Sequence, residues 1–154
     1  PRKTARQAAP TVSALLSGAP LKNMVRRESE SRVLTFKLGG TAELPPPRND
    51  SIALPAPPAL TASNEAIEAG RQLYHGLCAG CHGGAAMSSG LIPDLRYMSA
   101  DTHASFRQIV AGARAQRGMP SFVHLLPTEQ MDLVHQYVIK RSHDLVAALE
   151  DAEE

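Results

Sequence analysis

Tryptophan is absent from these 154 residues, and only three phenylalanines and three tyrosines are present. A chain of this length has room for one domain with a modest core, or a smaller domain plus extensions. So few aromatic side chains would leave a core of protein atoms alone thin, and an apolar prosthetic group would supply the missing bulk. Cysteine is nearly absent as well. Cys78 and Cys81 stand three apart, too close to close a large loop, which excludes a disulfide scaffold. No run of eighteen apolar residues occurs, so no transmembrane helix is expected. The net charge is only +1, although eight Lys/Arg face two acids in residues 1–37 and five acids fall in residues 144–154 with no Lys/Arg. The basic stretch lacks interleaved aromatics and any nucleic-acid-binding motif, so it reads as a solvated arm and no nucleic-acid partner is expected.

The chain starts at Pro1, which suits a processed chain or a fragment. Arg2, Lys3 and Arg6 followed by small apolar residues up to Ala19 have a faint likeness to an export signal, but Pro10, Ser13 and Gly18 interrupt the apolar stretch and no convincing signal peptide results. Residues 1–31 show neither helical nor strand period. In residues 32–38, Leu34, Phe36 and Leu38 alternate with Val33, Thr35 and Lys37, the pattern of a strand stopped by Gly39-Gly40. A lone strand is not stable, so its partners would have to lie outside this chain. Six prolines in residues 45–58 fix φ and remove donors, which makes an extended, semi-stiff linker.

From Thr61 the period becomes helical. Thr61 or Ser63 can cap, Glu65 and Glu68 suit the first turns, and Ile67, Gly70, Tyr74 and Leu77 share a face. A second helix is expected from about Thr102 to Ala111, with Phe106, Ile109 and Val110 inward and Gly112 as its stop. A third follows Pro127 with Thr128 as cap, a stripe of Met131, Val134, Tyr137 and Val138, and Lys140 and Arg141 near its end. The boundaries are an extension over 1–44, a linker over 45–60, a helical domain over 61–143 and an acidic, solvated tail over 144–154. The segments 82–101 and 112–127 are long for connections in a small domain, and such loops are usually functional.

Cys78-Ala79-Gly80-Cys81-His82 is the attachment pattern of a c-type haem. The two thiols add across the porphyrin vinyl groups, and the adjacent His82 reaches the iron as proximal ligand. Gly80, Gly83 and Gly84 leave room for backbone close to the macrocycle. A thioredoxin-like dithiol would need a βαβ context, and a zinc site would need a second ligand pair beyond His75, Cys78 and Cys81. For the sixth ligand, Met119 is the candidate, bent into place by Gly118, stiffened by Pro120 and 37 residues beyond His82. Met98 is an alternative, Met87 lies too near the motif to cross over, and Met131 fits the core. His75, His103, His124, His135 and His143 read as ordinary surface or hydrogen-bonded histidines, with His124 the one other ligand candidate. The Pro93 carbonyl is a candidate acceptor for the second N–H of His82. Arg96 reads either as a partner for a haem propionate or as a surface arginine.

Gly70, Tyr74, the haem motif, Pro93 and Tyr137 together resemble the class I cytochrome c fold: all-α, three to four helices around a covalent haem c, preceded here by a mostly irregular extension. With Asp94-Leu95-Arg96, Phe106, Ile109-Val110, Gly118-Met119-Pro120 and Phe122 the chain is similar to the C-terminal haem domain of quinohaemoprotein alcohol dehydrogenases, over roughly residues 32–143. The resemblance implies that residues 32–44 are the remnant of a propeller's last strand and exit linker. It also implies that pyrroloquinoline quinone (PQQ) and calcium belong to a missing propeller domain, which would be the electron donor. The acceptor would be a soluble blue copper protein or cytochrome, or a membrane quinone, and the location periplasmic. The chain would then relay electrons and catalyse nothing alone. The other readings are a free-standing haem enzyme or gas sensor with an open sixth site, and a non-functional fragment.

Overall fold

A computed structural model describes residues 35–41, 43, 53–88 and 92–153. Among them the regular structure is entirely helical. Helix α1 (Asn64–Leu77) is capped by Ser63, whose hydroxyl accepts from the Ala66 amide at 3.3 Å. A short helix α2 (Ala79–His82) continues it past a break at Cys78. Helices α3 (Ala100–Ala104) and α4 (Phe106–Gln108) meet at Ser105 and run into a π-helical turn, Ile109–Ala113. Helix α5 (Thr128–Glu153) closes the domain.

The crossing of α1 over α5 fixes the architecture. Gly70 lies against the α5 backbone so closely that a Cβ there would stand 2.0 Å from the Leu133 carbonyl oxygen. This contact brings the Tyr74 and Tyr137 rings to 5.1 Å between centroids, within the range where tilted aromatic pairs attract. Tyr74 is wholly buried, and its hydroxyl donates to the Gly83 carbonyl at 2.8 Å, so the crossing also holds the chain just beyond the haem motif. Met98, Phe106, Val110, Leu126, Met131, Val134 and Val138 complete the core.

Several expectations change in detail. The expected strand over 32–38 is half outside the described residues; its described part, 35–38, joins no ladder, and Phe36 and Leu38 are fully exposed. No second strand among the described residues offers it a partner. The second helix starts earlier than Thr102 because Ser99 caps it, accepting from the Thr102 amide at 3.3 Å, and it breaks at Ser105. Thr128 is the first helical residue of α5, not its cap; the Pro127 carbonyl accepts from Gln130 and Met131. The expected acidic tail is largely helix. Helix α5 continues past Arg141 to Glu153 because Ser142 and Leu145 are buried on the same stripe as Val138. Residues 53–60, the described part of the linker, form neither helix nor strand and are partly half-buried, and His143 Nε2 pairs with the Pro58 carbonyl at 2.8 Å.

Candidate functional site

Cys78, His82, Pro93, Met98, Phe106 and Met119 line one cleft of about 260 Å³, as do the buried Tyr74, Val110 and Val134. Two sides of it are built by different means. On one side the α2 turn carries both cysteines and His82. The Cys78 carbonyl accepts from the His82 amide at 2.9 Å, which seats the imidazole one turn beyond the first thiol. Both cysteines are free thiols, Cys78 half-buried and Cys81 exposed. Burial, then the neighbouring Cys81, pushes the Cys78 thiol up to about 11. Gly83 has φ +76, and a Cβ there would strike the Met87 carbonyl oxygen at 2.0 Å, so this glycine is demanded by the chain's own loop. Gly80 and Gly84 would meet no chain atom within 4 Å.

His82 Nδ1 lies 3.1 Å from the Pro93 carbonyl oxygen. As the N–H tautomer it donates there, which turns Nε2 toward the cleft. The carbonyl is held by the next residues. Asp94 accepts from the Arg96 amide at 3.0 Å, and from Arg96 Nε at 3.0 Å and Nη2 at 2.7 Å. Both side chains of this ion pair are almost wholly buried. Arg96 is therefore not a surface residue, and it is not among the residues that line the cleft; the arginine that does is Arg114.

Met119 lines the same cleft from a loop tied to the π-turn. Gly118 is left-handed, with φ +89. The Met119 amide donates to the Arg114 carbonyl at 3.4 Å, Ser121 Oγ to the Ala111 carbonyl at 2.7 Å, and the Phe122 amide to the Val110 carbonyl at 2.9 Å. Gly112, with φ +120, lets this loop approach; a Cβ there would come within 2.9 Å of Ser121 Cβ. Met98 also faces the cleft, Met131 is in the core and Met87 is elsewhere. His124 is exposed on the loop beyond Met119 and does not reach the cleft. The Ser121 and Phe122 anchors and the Arg114 position were not inferred from the sequence. The pair Gly112 and Gly118 flanking Arg114 was the available signal for a tightly bent loop.

A helix crossing sealed by Gly70, Tyr74 and Tyr137, over a cleft that joins a C-x-x-C-H turn to a methionine loop, defines a class I cytochrome c domain. The comparisons agree. A family described as cytochrome c oxidase, cbb3-type, subunit III matches residues 65–138. Quinohemoprotein alcohol dehydrogenase ADH-IIG of Pseudomonas putida is 50% identical over 117 residues, covering 75% of this chain and 16% of that protein. ADH IIB of the same organism is 41% identical over 133 residues, covering 85% and 19%. The dehydrogenase subunit of the quinone alcohol dehydrogenase of Gluconobacter oxydans is 33% identical over 118 residues, covering 75% and 16%. The solved structure of ADH-IIG superposes with a TM-score of 0.62 at 50% identity, covering 72% of this chain and 16% of that one. The chain thus carries a cytochrome c domain homologous to the electron-transfer haem domain of quinohaemoprotein alcohol dehydrogenases, and it spans about a sixth of the length of these relatives.

The residues fit the haem c that such a domain implies. Cys78 and His82 line an apolar cleft, Cys81 stands exposed one turn along from Cys78, and a carbonyl orients the imidazole. No described helix is long and apolar enough to cross a membrane.

Proposed function

We propose that this domain holds one haem covalently through Cys78 and Cys81, with His82 and Met119 as axial ligands, and relays single electrons. The bound haem supplies a one-electron Fe(III)/Fe(II) couple. The observation that carries the reading is that His82 and Met119, 37 residues apart in sequence, line the same cleft. Pro93 fixes the imidazole tautomer through its carbonyl, and the Asp94–Arg96 pair fixes Pro93. Arg96, buried and oriented by Asp94, is a propionate partner, and Arg114, which lines the cleft, is a second candidate for that role. His82 and Met119 would hold the iron between them and so keep dioxygen from it, and the soft thioether would favour the reduced state.

Homology with the dehydrogenases supports a PQQ- and calcium-containing propeller domain as electron donor, either joined to this chain or in a separate one. A blue copper protein, a cytochrome or a membrane quinone would accept the electron. The loop that carries Met119 runs on into exposed Val123 and Leu125, an apolar rim suited to transient docking. The expected setting is the periplasm.

The test is expression with a c-type haem maturation system. Acid-acetone extraction should leave the chromophore on the protein, with a pyridine haemochrome of two saturated vinyls. Met119→Ala should lower the reduction potential and open the ferrous iron to carbon monoxide. Release of haem on extraction would refute the attachment. An unchanged potential, or carbon monoxide binding to the unsubstituted protein, would refute the methionine assignment and point to an open-site haem enzyme or sensor.

A further inference from the structure

Alanine stands at every third position of residues 53–60, and exposure follows the same repeat. Ala53, Ala56 and Ala59 are exposed, while Leu54, Pro55, Pro57, Pro58 and Leu60 are half-buried. Three residues per turn is the period of a polyproline II helix, and the prolines at 55, 57 and 58 preset its φ. Such a helix makes no hydrogen bonds of its own, so a carbonyl turned away from water needs a donor from elsewhere. The Pro58 carbonyl has one. His143 Nε2 lies 2.8 Å from it, across 85 positions of sequence. A carbonyl only accepts, so Nε2 carries the hydrogen and donates it.

Helix α5 provides the seat. Ile139 and Val146 share the face of His143 by four- and three-residue steps, Ile139 buried and Val146 half-buried, so this face is apolar around one polar atom. The charges next to His143 are already paired with one another. Asp144 accepts from Arg141 Nη1 at 2.7 Å and is bonded to Lys140 Nζ as well. The imidazole is left to the linker. The proposed haem relay uses none of these groups.

We propose that the C-terminal half of α5 is a docking surface for a polyproline II segment, occupied by this chain's own residues 53–60, and that His143 clasps this strap in place. The strap moves the point at which the chain leaves the domain from Thr61 back to Ala53. Residues 45–60 as a free tether would reach about 50 Å at ~3.1 Å per residue, whereas with 53–60 seated only 45–52 remain, about 25 Å. Any unit joined ahead of residue 45 is thereby confined to about one-eighth of the volume, and its effective concentration at the haem domain rises about eightfold. The strap explains in the same terms why α5 runs on beyond Arg141: the added turns carry its clasp.

The experiment is ¹⁵N relaxation on the haem-loaded, ascorbate-reduced full chain. The amides of Ala56, Ala59 and Leu60 should show the order parameters of a rigid backbone, about 0.85, like those of α1. His143→Ala should bring the three below ~0.6 and leave Tyr74 and Val138 unchanged. The double variant Pro57→Gly/Pro58→Gly, which leaves α5 untouched, should loosen Ala56 and Ala59 in the same way. Linker amides already below ~0.6 in the unsubstituted chain, or rigid ones in His143→Ala, would overturn the strap. Should His143→Ala fail to fold, the double variant decides, and unchanged order at Ala56 and Ala59 in it overturns the proposal.

Discussion

Replacing Gly70 by alanine sets two effects against each other. In an exposed helix the change would favour folding by ~1 kcal/mol, because alanine gives up less backbone freedom than glycine. At Gly70 the new methyl would sit 2.0 Å from the Leu133 carbonyl oxygen, 2.6 Å from its carbon and 3.2 Å from Tyr137 Cβ. An ordinary carbon–oxygen contact is about 3.3 Å, so α1 and α5 must part by more than ~1 Å. The obstacle is helix backbone, and no side-chain rotation relieves it. Overpacking of this kind costs about 3 kcal/mol or more, and the separation also loosens the Tyr74–Tyr137 contact. The net expectation is a loss of ~2–3 kcal/mol and a Tm lower by about 10–20 °C. Gly76 is the control. It lies on the exposed side of the same helix, with nothing within 4 Å of an added Cβ, so Gly76→Ala should raise Tm by up to ~4–8 °C. Thermal and urea unfolding of the haem-loaded protein, followed by far-ultraviolet circular dichroism, measures both. A Gly70→Ala protein as stable as the parent would show that the two helices do not cross at this residue.

Removing the carboxylate in Asp94→Ala leaves the Arg96 guanidinium buried without its bidentate partner and should cost ~3–5 kcal/mol in urea unfolding; a loss below 1 kcal/mol would place Arg96 in solvent. Stability should also fall with acid in a particular window. His135 is held down at about 4, first by burial, then by the charge of His103, with Arg107 adding and Asp132 opposing. Its unfolded value is about 6.5, so the unfolded chain takes up the proton first, and stability falls as pH drops from about 6.5 through about 4. The full difference is worth roughly 3 kcal/mol, and about half of that remains once water screens a half-buried ring. Urea midpoints between pH 7 and pH 4 should therefore fall more steeply for the parent than for His135→Gln, and equal slopes would contradict the assignment.

The features legible in the sequence are those set by short spacing. The C-x-x-C-H turn specifies its own geometry over five residues. The helical stripes around Tyr74 and Tyr137 needed only the 3.6 period to be seen as one core. What the sequence concealed depends on contacts between distant segments. Arg96 reads as either a propionate partner or a surface side chain because nothing local says that Asp94 is turned inward with it. Helix α5 reads as ending near Arg141 because the acidic residues beyond it hide a continuing stripe, in which Ser142 and Leu145 are buried. The break at Ser105 and the π-turn after it carry no compositional mark, since Phe106, Ile109 and Val110 keep a helical period across it.

The two sides of the haem cleft therefore rest on unlike foundations. His82 is placed by the turn that carries the thiols, and its orientation needs only one further contact, the Pro93 carbonyl at 3.1 Å. Met119 is placed by a loop that no neighbouring helix continues. Its anchors are the carbonyls of Val110 and Ala111, which in an unbroken helix would accept from residues four further on. The π-turn withdraws those internal donors, and Ser121 and Phe122 supply replacements at 2.7 and 2.9 Å. A helix end buried without partners would be costly, so the same contacts that satisfy the end of this helical segment also fix the methionine loop. The irregular turn is thus the structural condition for bringing a residue 37 positions past His82 to the same cleft, and it is the part of the site that sequence spacing alone could not specify.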